Sequence, residues 1–110
     1  MITNTMGFTS DYSEDAPSLK EIHDLSGEAI LEFGAPWCSH CQLASSAVQQ
    51  VLNEQSRFSH IKVYDGKGKR LGREFKVKLW PTLILLHNGQ EVKRIVRPTN
   101  AEQIRQLLND

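Results

Sequence analysis

The sequence is short of most features that announce a function class. Among its 110 residues it has only two cysteines, too few for a disulfide-framework domain. Lys and Arg number 13 against 13 Asp and Glu, so no net charge argues for nucleic acid or a membrane surface as partner. No apolar run approaches the roughly 18–20 residues a transmembrane helix needs. Internal repeats, low-complexity tracts and linker-like stretches are missing as well. The first residues are polar and acidic, with no basic stretch leading into an apolar one, which speaks against a secretory signal. The expectation is a cytoplasmic monomer. One domain over 1–110 has room to bury a core without staples, and its weakly periodic segment 1–16 gives at most a short edge strand.

Charge is absent in sum but uneven along the chain. Residues 1–32 carry seven acids against Lys20 alone, and residues 62–78 carry seven bases against Asp65 and Glu74. A solvated face explains the basic stretch. Nucleic-acid binding would call for more aromatic interleaving than Tyr64 and Phe75 supply.

What is present is organised around Trp37-Cys38-Ser39-His40-Cys41, which holds both cysteines. Ahead of it, Ser18-Leu19-Lys20-Glu21 has capping-box spacing, and Leu19, Ile22 and Leu25 give a short helix an apolar face that Ser26-Gly27 ends. Ala29-Ile30-Leu31-Glu32-Phe33 reads as a strand buried on both faces, with one acid inside it. Gly34-Ala35-Pro36 closes that strand. Ala44, Ala47, Val48, Val51 and Leu52 then repeat at i, i+3, i+4, i+7 and i+8, an amphipathic helix from Ser39 to about Gln55. The dithiol therefore sits at a strand-to-helix junction.

Downstream, Ile61 to Tyr64 reads as a second buried strand, Gly66 to Gly72 as a basic glycine-punctuated stretch, and Leu71 to Phe75 as one or two helical turns. Thr82 to His87 is β-prone, and Asn88-Gly89 predicts a hairpin pairing it with Glu91 to Val96. Thr99-Asn100-Ala101-Glu102 again has capping-box spacing before a closing helix whose buried face is Ile104, Leu107 and Leu108. This order predicts an α/β fold of three layers around a mixed sheet.

A close cysteine pair in a reducing compartment points to redox or metal chemistry. Structural zinc needs four ligands, and no second cysteine pair exists, while His23, His60 and His87 are scattered. Haem attachment wants His directly after the second cysteine, where Gln42 stands. A purely structural bridge over so short a loop removes little unfolded-state entropy. Redox exchange remains. A thiolate is the attacker, and a helix N-terminus favours an anion at Cys38. His40 can add a positive charge or a hydrogen bond. Cys41, one turn on, is placed to resolve a mixed disulfide. Cys38 is expected to be exposed and Cys41 buried. Glu32, unless paired, should have a raised pKa and suits the deprotonation of Cys41; a solvent-facing acid at a strand edge is its plain alternative.

Ala35-Pro36-Trp37-Cys38-Ser39-His40-Cys41 after a buried strand, Pro81-Thr82 opening a later one and Asn88-Gly89 in a hairpin resemble the thioredoxin family, over about residues 18–110. The resemblance implies the thioredoxin fold and dithiol–disulfide exchange with protein substrates, with no bound cofactor and a thioredoxin reductase or other thiol donor as electron source. It makes Cys38 the nucleophile, Cys41 the resolving thiol and Pro81 the cis-proline beside them. It puts Glu32 at a buried proton-shuttling acid and Lys62 at that acid's lysine partner. Trp80, preceding Pro81, would offer backbone hydrogen bonds to an extended substrate, and Trp37, Thr82 and Arg97 would line the same groove.

Four positions depart from the family's pattern. Gly34 stands where an aromatic is common, Ser46 where a proline kinks the helix, Trp80 where a small or β-branched residue is usual, and Arg97-Pro98 where a glycine is. Ser39-His40 between the cysteines is similar to disulfide isomerases and oxidases. It predicts a potential between roughly −270 mV and roughly −180 mV, the thioredoxin and isomerase values. The expected activity is reduction of protein disulfides. The alternatives are a disulfide oxidase or isomerase, and a binding or chaperone module with Trp37 and Trp80 as its docking patch.

Overall fold

The Ser18 capping box closes in the computed structural model, which describes residues 7–66 and 69–109. The Ser18 side chain accepts the Glu21 N–H, and the Glu21 carboxylate accepts the Ser18 N–H. These bonds satisfy donors that a helix start otherwise leaves unpaired. They open α1 (Leu19–His23), which ends at Asp24, short of Leu25 and Ser26-Gly27.

The chain continues through β1 (Glu28–Gly34), α2 (Ser39–Glu54), β2 (Ser59–Tyr64), α3 (Arg70–Glu74), β3 (Thr82–His87), β4 (Gln90–Val96) and α4 (Ala101–Leu108). The strands form one mixed sheet in the order β2-β1-β3-β4. β1 runs parallel to β2 and antiparallel to β3. β3 and β4 pair antiparallel, with a bulge at Leu85/Leu86. Asn88 and Gly89 both take positive φ, +50° and +80°, as a two-residue hairpin turn requires. A Cβ at Gly89 would also run into the His23 carbonyl, so this turn packs against the end of α1.

Both sheet faces are covered. Ile30, Leu83 and Leu85 pack against Val48, Val51 and Leu52 of α2 and Ile104, Leu107 and Leu108 of α4. Leu31, Phe33, Ile84 and Leu86 point the other way, onto Ile22 and Leu71. Leu43, outside the apolar spacing of α2, is exposed. The closing helix starts one residue later than the spacing predicted. Asn100, not Thr99, is the N-cap and accepts the Gln103 N–H, while the Gln103 side chain reaches back to the Thr99 N–H.

Residues 7–16 form no continuous strand, yet they are tied along β2. Gly7 and Ser13 each make an isolated bridge, to Ser59 and Val63, and the Thr9 N–H donates to His60 Nδ1. Residues 1–6, and residues 67–68 of the basic stretch, lie outside the described residues.

Candidate active site

The loop after β1 delivers Cys38 to the N-cap of α2. Its N–H donates to the Ala35 carbonyl, and its sulfur accepts the Cys41 N–H at 3.2 Å. An orphan backbone donor of the first turn is thereby aimed at the sulfur, where it favours negative charge together with the helix dipole. Cys38 and Cys41 are free thiols. Cys38 is only 9% exposed, against 3% for Cys41, so the expectation of an exposed Cys38 is corrected. Ala35 and Trp80 pack around the pair and close most of its surface. Burial, with a hydrogen bond that the Cys41 thiol donates to Cys38, pushes Cys41 up to about 11.

His40 lies exposed in the first turn of α2. Among the described residues it makes no hydrogen bond to either sulfur, so the hydrogen-bonding half of its predicted role is corrected. What it retains is a position from which charge acts through solvent, where screening is strong.

Beneath the dithiol, Glu32 is 2% exposed in the middle of β1. Its two oxygens have separate donors. Oε1 lies 2.8 Å from His60 Nε2 and Oε2 accepts from the Tyr12 hydroxyl at 2.5 Å. Because His60 Nδ1 accepts the Thr9 N–H, its proton belongs on Nε2, facing Glu32. Burial pushes the Glu32 carboxyl up, but His60, Lys62 and Tyr12 together outweigh it and hold the group below the usual carboxylate range. The raised pKa expected of an unpaired acid is therefore corrected: Glu32 is paired, and it is an anion at neutral pH.

Lys62 stands beside Glu32 in the strand register, and its charge helps hold the carboxylate. Its ammonium donates to the Ser10 carbonyl at 2.8 Å and lies 4.3 Å from the Tyr12 ring centroid. Among the described residues the ion-pair contact to Glu32 comes from His60 instead, which corrects the pairing expected of Lys62.

Above the dithiol, Trp37 is 65% exposed and meets Trp80 edge-on, ring centroids 5.4 Å apart. Trp80 is fixed by its indole N–H, which donates to Asp65 Oδ2 at 2.9 Å, and the Trp80–Pro81 peptide is cis. Arg97, at φ +52°, serves both neighbouring carbonyls. Its Nε donates to Trp80 O at 2.8 Å and its N–H to Pro81 O at 2.9 Å. The Trp80 carbonyl thus already holds a partner within the chain. Thr82 is 1% exposed and its hydroxyl donates to the Leu79 carbonyl. It does not line the groove; it pins the turn before β3.

Three residues of the site were not singled out from the sequence: Tyr12, His60 and Asp65. His60 had a signal, since it lies two residues from Lys62 and so on the same face of β2. Tyr12 had none, because its role depends on a contact twenty residues away in a stretch without periodicity.

The thioredoxin family model matches residues 13–110. Thioredoxin from Mycoplasma genitalium is 28% identical over 84% of this chain and 90% of its own length. The bifunctional thioredoxin reductase/thioredoxin of Mycobacterium leprae is 30% identical over 74% of this chain, which spans only 18% of that protein. Among solved structures, thioredoxin 2 from Pseudomonas aeruginosa PAO1 in its reduced form superposes with a TM-score of 0.83 at 42% identity, over 92% of this chain and 94% of that one.

Proposed function

Since the chain belongs to the thioredoxin family and is a thiol–disulfide oxidoreductase, we propose that it reduces protein disulfides through a Cys38 mixed disulfide resolved by Cys41. The Cys38 sulfur attacks one sulfur of the substrate disulfide. A Cys38–substrate bond forms, the substrate S–S bond breaks, and the departing thiolate takes a proton from water. Cys41 loses its proton towards Glu32 and attacks the Cys38 sulfur. The intramolecular disulfide forms, the Cys38–substrate S–S bond breaks, and the second substrate sulfur leaves as a thiolate that takes a proton from water. The two electrons come from the dithiol, which an external thiol donor must re-reduce.

The observation that carries this reading is the asymmetry of the two sulfurs: Cys38 receives a backbone N–H at a helix start, while Cys41 is buried as a neutral thiol beside the Tyr12 hydroxyl that donates to the Glu32 carboxylate. A thiol at about 11 is ionised to only about one part in ten thousand at neutral pH, so resolution needs a base. Trp37 and Trp80 form the apolar lip against which an extended substrate docks. No helix among the described residues is long and apolar enough to cross a membrane. We assign the reductase to the cytoplasm because its re-reduction by a thiol donor needs a reducing compartment. The test is turnover of a protein disulfide with a regenerating thiol: the wild type should catalyse it and Cys38→Ser should fall to the uncatalysed rate. Equal turnover by the two would overturn the assignment.

A further inference from the structure

The space above Gly34 is filled from elsewhere in the chain. A Cβ built on Gly34 would stand 2.5 Å from the Tyr12 hydroxyl oxygen and 2.6 Å from Cys41 Sγ. The phenol and the thiol thus converge on the one point a side chain at position 34 would occupy. The same hydroxyl donates to Glu32 Oε2 at 2.5 Å. With its proton directed at the carboxylate, the oxygen keeps its lone pairs for a second neighbour, and Cys41, whose thiol interacts with the Tyr12 hydroxyl, is the group beside it. Tyr12, Cys41 and Lys62 also share the wall of a cavity of about 560 Å3, which connects the group to solvent.

We propose that Tyr12 is the proton relay between Cys41 and Glu32, and that Gly34 leaves the room in which it works. The proposal rests on the reading of Cys41 as resolving thiol and Glu32 as its base. As Cys41 Sγ bonds to Cys38 Sγ, the Cys41 S–H bond breaks and its proton passes to the Tyr12 oxygen. The Tyr12 O–H bond breaks in the same step and that proton passes to Glu32 Oε2. The Cys38–substrate S–S bond breaks, and the substrate thiolate takes a proton from water. Glu32 later returns its proton by the same route to water in the cavity. The ionisable groups facing Tyr12 are Glu32 from β1, Lys62 from β2 and Cys41 from α2, with His60 behind Glu32 and Asp11 on the cavity wall. Burial and its neighbours hold the Tyr12 hydroxyl protonated far above the ordinary phenol range, so it acts by passing a proton through rather than by ionising.

The experiment measures the resolving step alone, as release of a chromogenic thiol from a preformed Cys38 mixed disulfide, across pH 6–10. The variants are Tyr12→Phe, Glu32→Gln and the double variant. Tyr12→Phe should slow resolution at least tenfold at pH 7 and recover as pH rises, while attack by Cys38, measured in the Cys41→Ser background, stays unchanged. The double variant should be no slower than the slower single variant, because both remove one path. Wild-type resolution in mixed H2O and D2O should show the curved dependence of two protons in flight, a readout that needs no variant to fold. Wild-type rates and pH profile in Tyr12→Phe would overturn the relay and leave the Cys38–Cys41 reading standing. So would multiplicative losses in the double variant, or a linear isotope dependence. Unchanged resolution in Glu32→Gln would instead overturn Glu32 as the base and, with it, a relay that ends there.

Discussion

The two sulfurs lie three residues apart on one helix turn, and almost nothing else about them is alike. Cys38 is the N-cap, takes a backbone N–H and opens towards an aromatic lip. Cys41 faces Gly34 and Tyr12, whose hydroxyl donates to a buried carboxylate, and burial pushes its thiol up to about 11. The difference shows how one short motif yields two reactivities. The upper sulfur is tuned by the helix start, a local property of α2. The lower one is tuned by burial and by Tyr12 of the N-terminal segment, which only the tertiary fold brings together.

The comparison breaks most visibly at His60. It is fully buried against Glu32, and removing it leaves a buried carboxylate without one of its donors. His60→Leu should lower unfolding stability by about 2–3 kcal/mol, measured in urea. A loss below about 0.5 kcal/mol would mean that the lower network does not hold the carboxylate.

The lip should respond in the opposite sense. Trp37 is mostly exposed, so Trp37→Ala should cost under about 0.5 kcal/mol of stability. The same change should raise KM for a protein disulfide several-fold and leave attack on a small disulfide unaltered. An equal effect on both substrates would show that Trp37 acts on the sulfur rather than on docking.

The pH dependence sharpens the contrast. The Cys41 value in the folded state lies above that of a free thiol, so the native state holds this proton more tightly. Its contribution to stability is complete below about pH 8.5, an ordinary thiol's value, and is lost as pH rises through about 11. The reduced wild type should therefore lose thermal stability over that window more steeply than Cys41→Ala. Parallel curves would contradict the burial assigned to Cys41.

The smallest effect is expected at His40. An exposed imidazole without a hydrogen bond to sulfur acts only by screened charge. His40→Ala should move the dithiol's equilibrium with a glutathione buffer by less than tenfold, under about 30 mV. A larger shift would restore a direct role for His40 at Cys38.

What the sequence made legible was local. The Ser18 box, the apolar repeat of α2, the Asn88-Gly89 turn and the placement of Cys38 at a strand-to-helix junction each depend on residues within a turn or two of one another. The acid at Glu32 was legible too, because one charge inside an apolar strand stands out. Its partners were not: His60 and Tyr12 reach it across 28 and 20 residues, and no periodicity in residues 7–16 marks Tyr12. Lys62 was the visible candidate for the contact that His60 makes. Thr82 was assigned to the groove through its neighbour Pro81. The Leu79 carbonyl and the antiparallel register with Phe33 turn it inward.

The most direct test of the account is to ask which sulfur a substrate holds when resolution is blocked. Reduced Cys41→Ser and Cys38→Ser proteins would be mixed with a disulfide-bonded protein substrate at pH 7, and the adducts mapped by mass spectrometry. The account predicts an adduct that accumulates on Cys38 in Cys41→Ser, with little or none on Cys41 in Cys38→Ser. Rapid adduct formation on Cys41 in Cys38→Ser, at a rate matching that of Cys38, would contradict the division of labour between the two sulfurs.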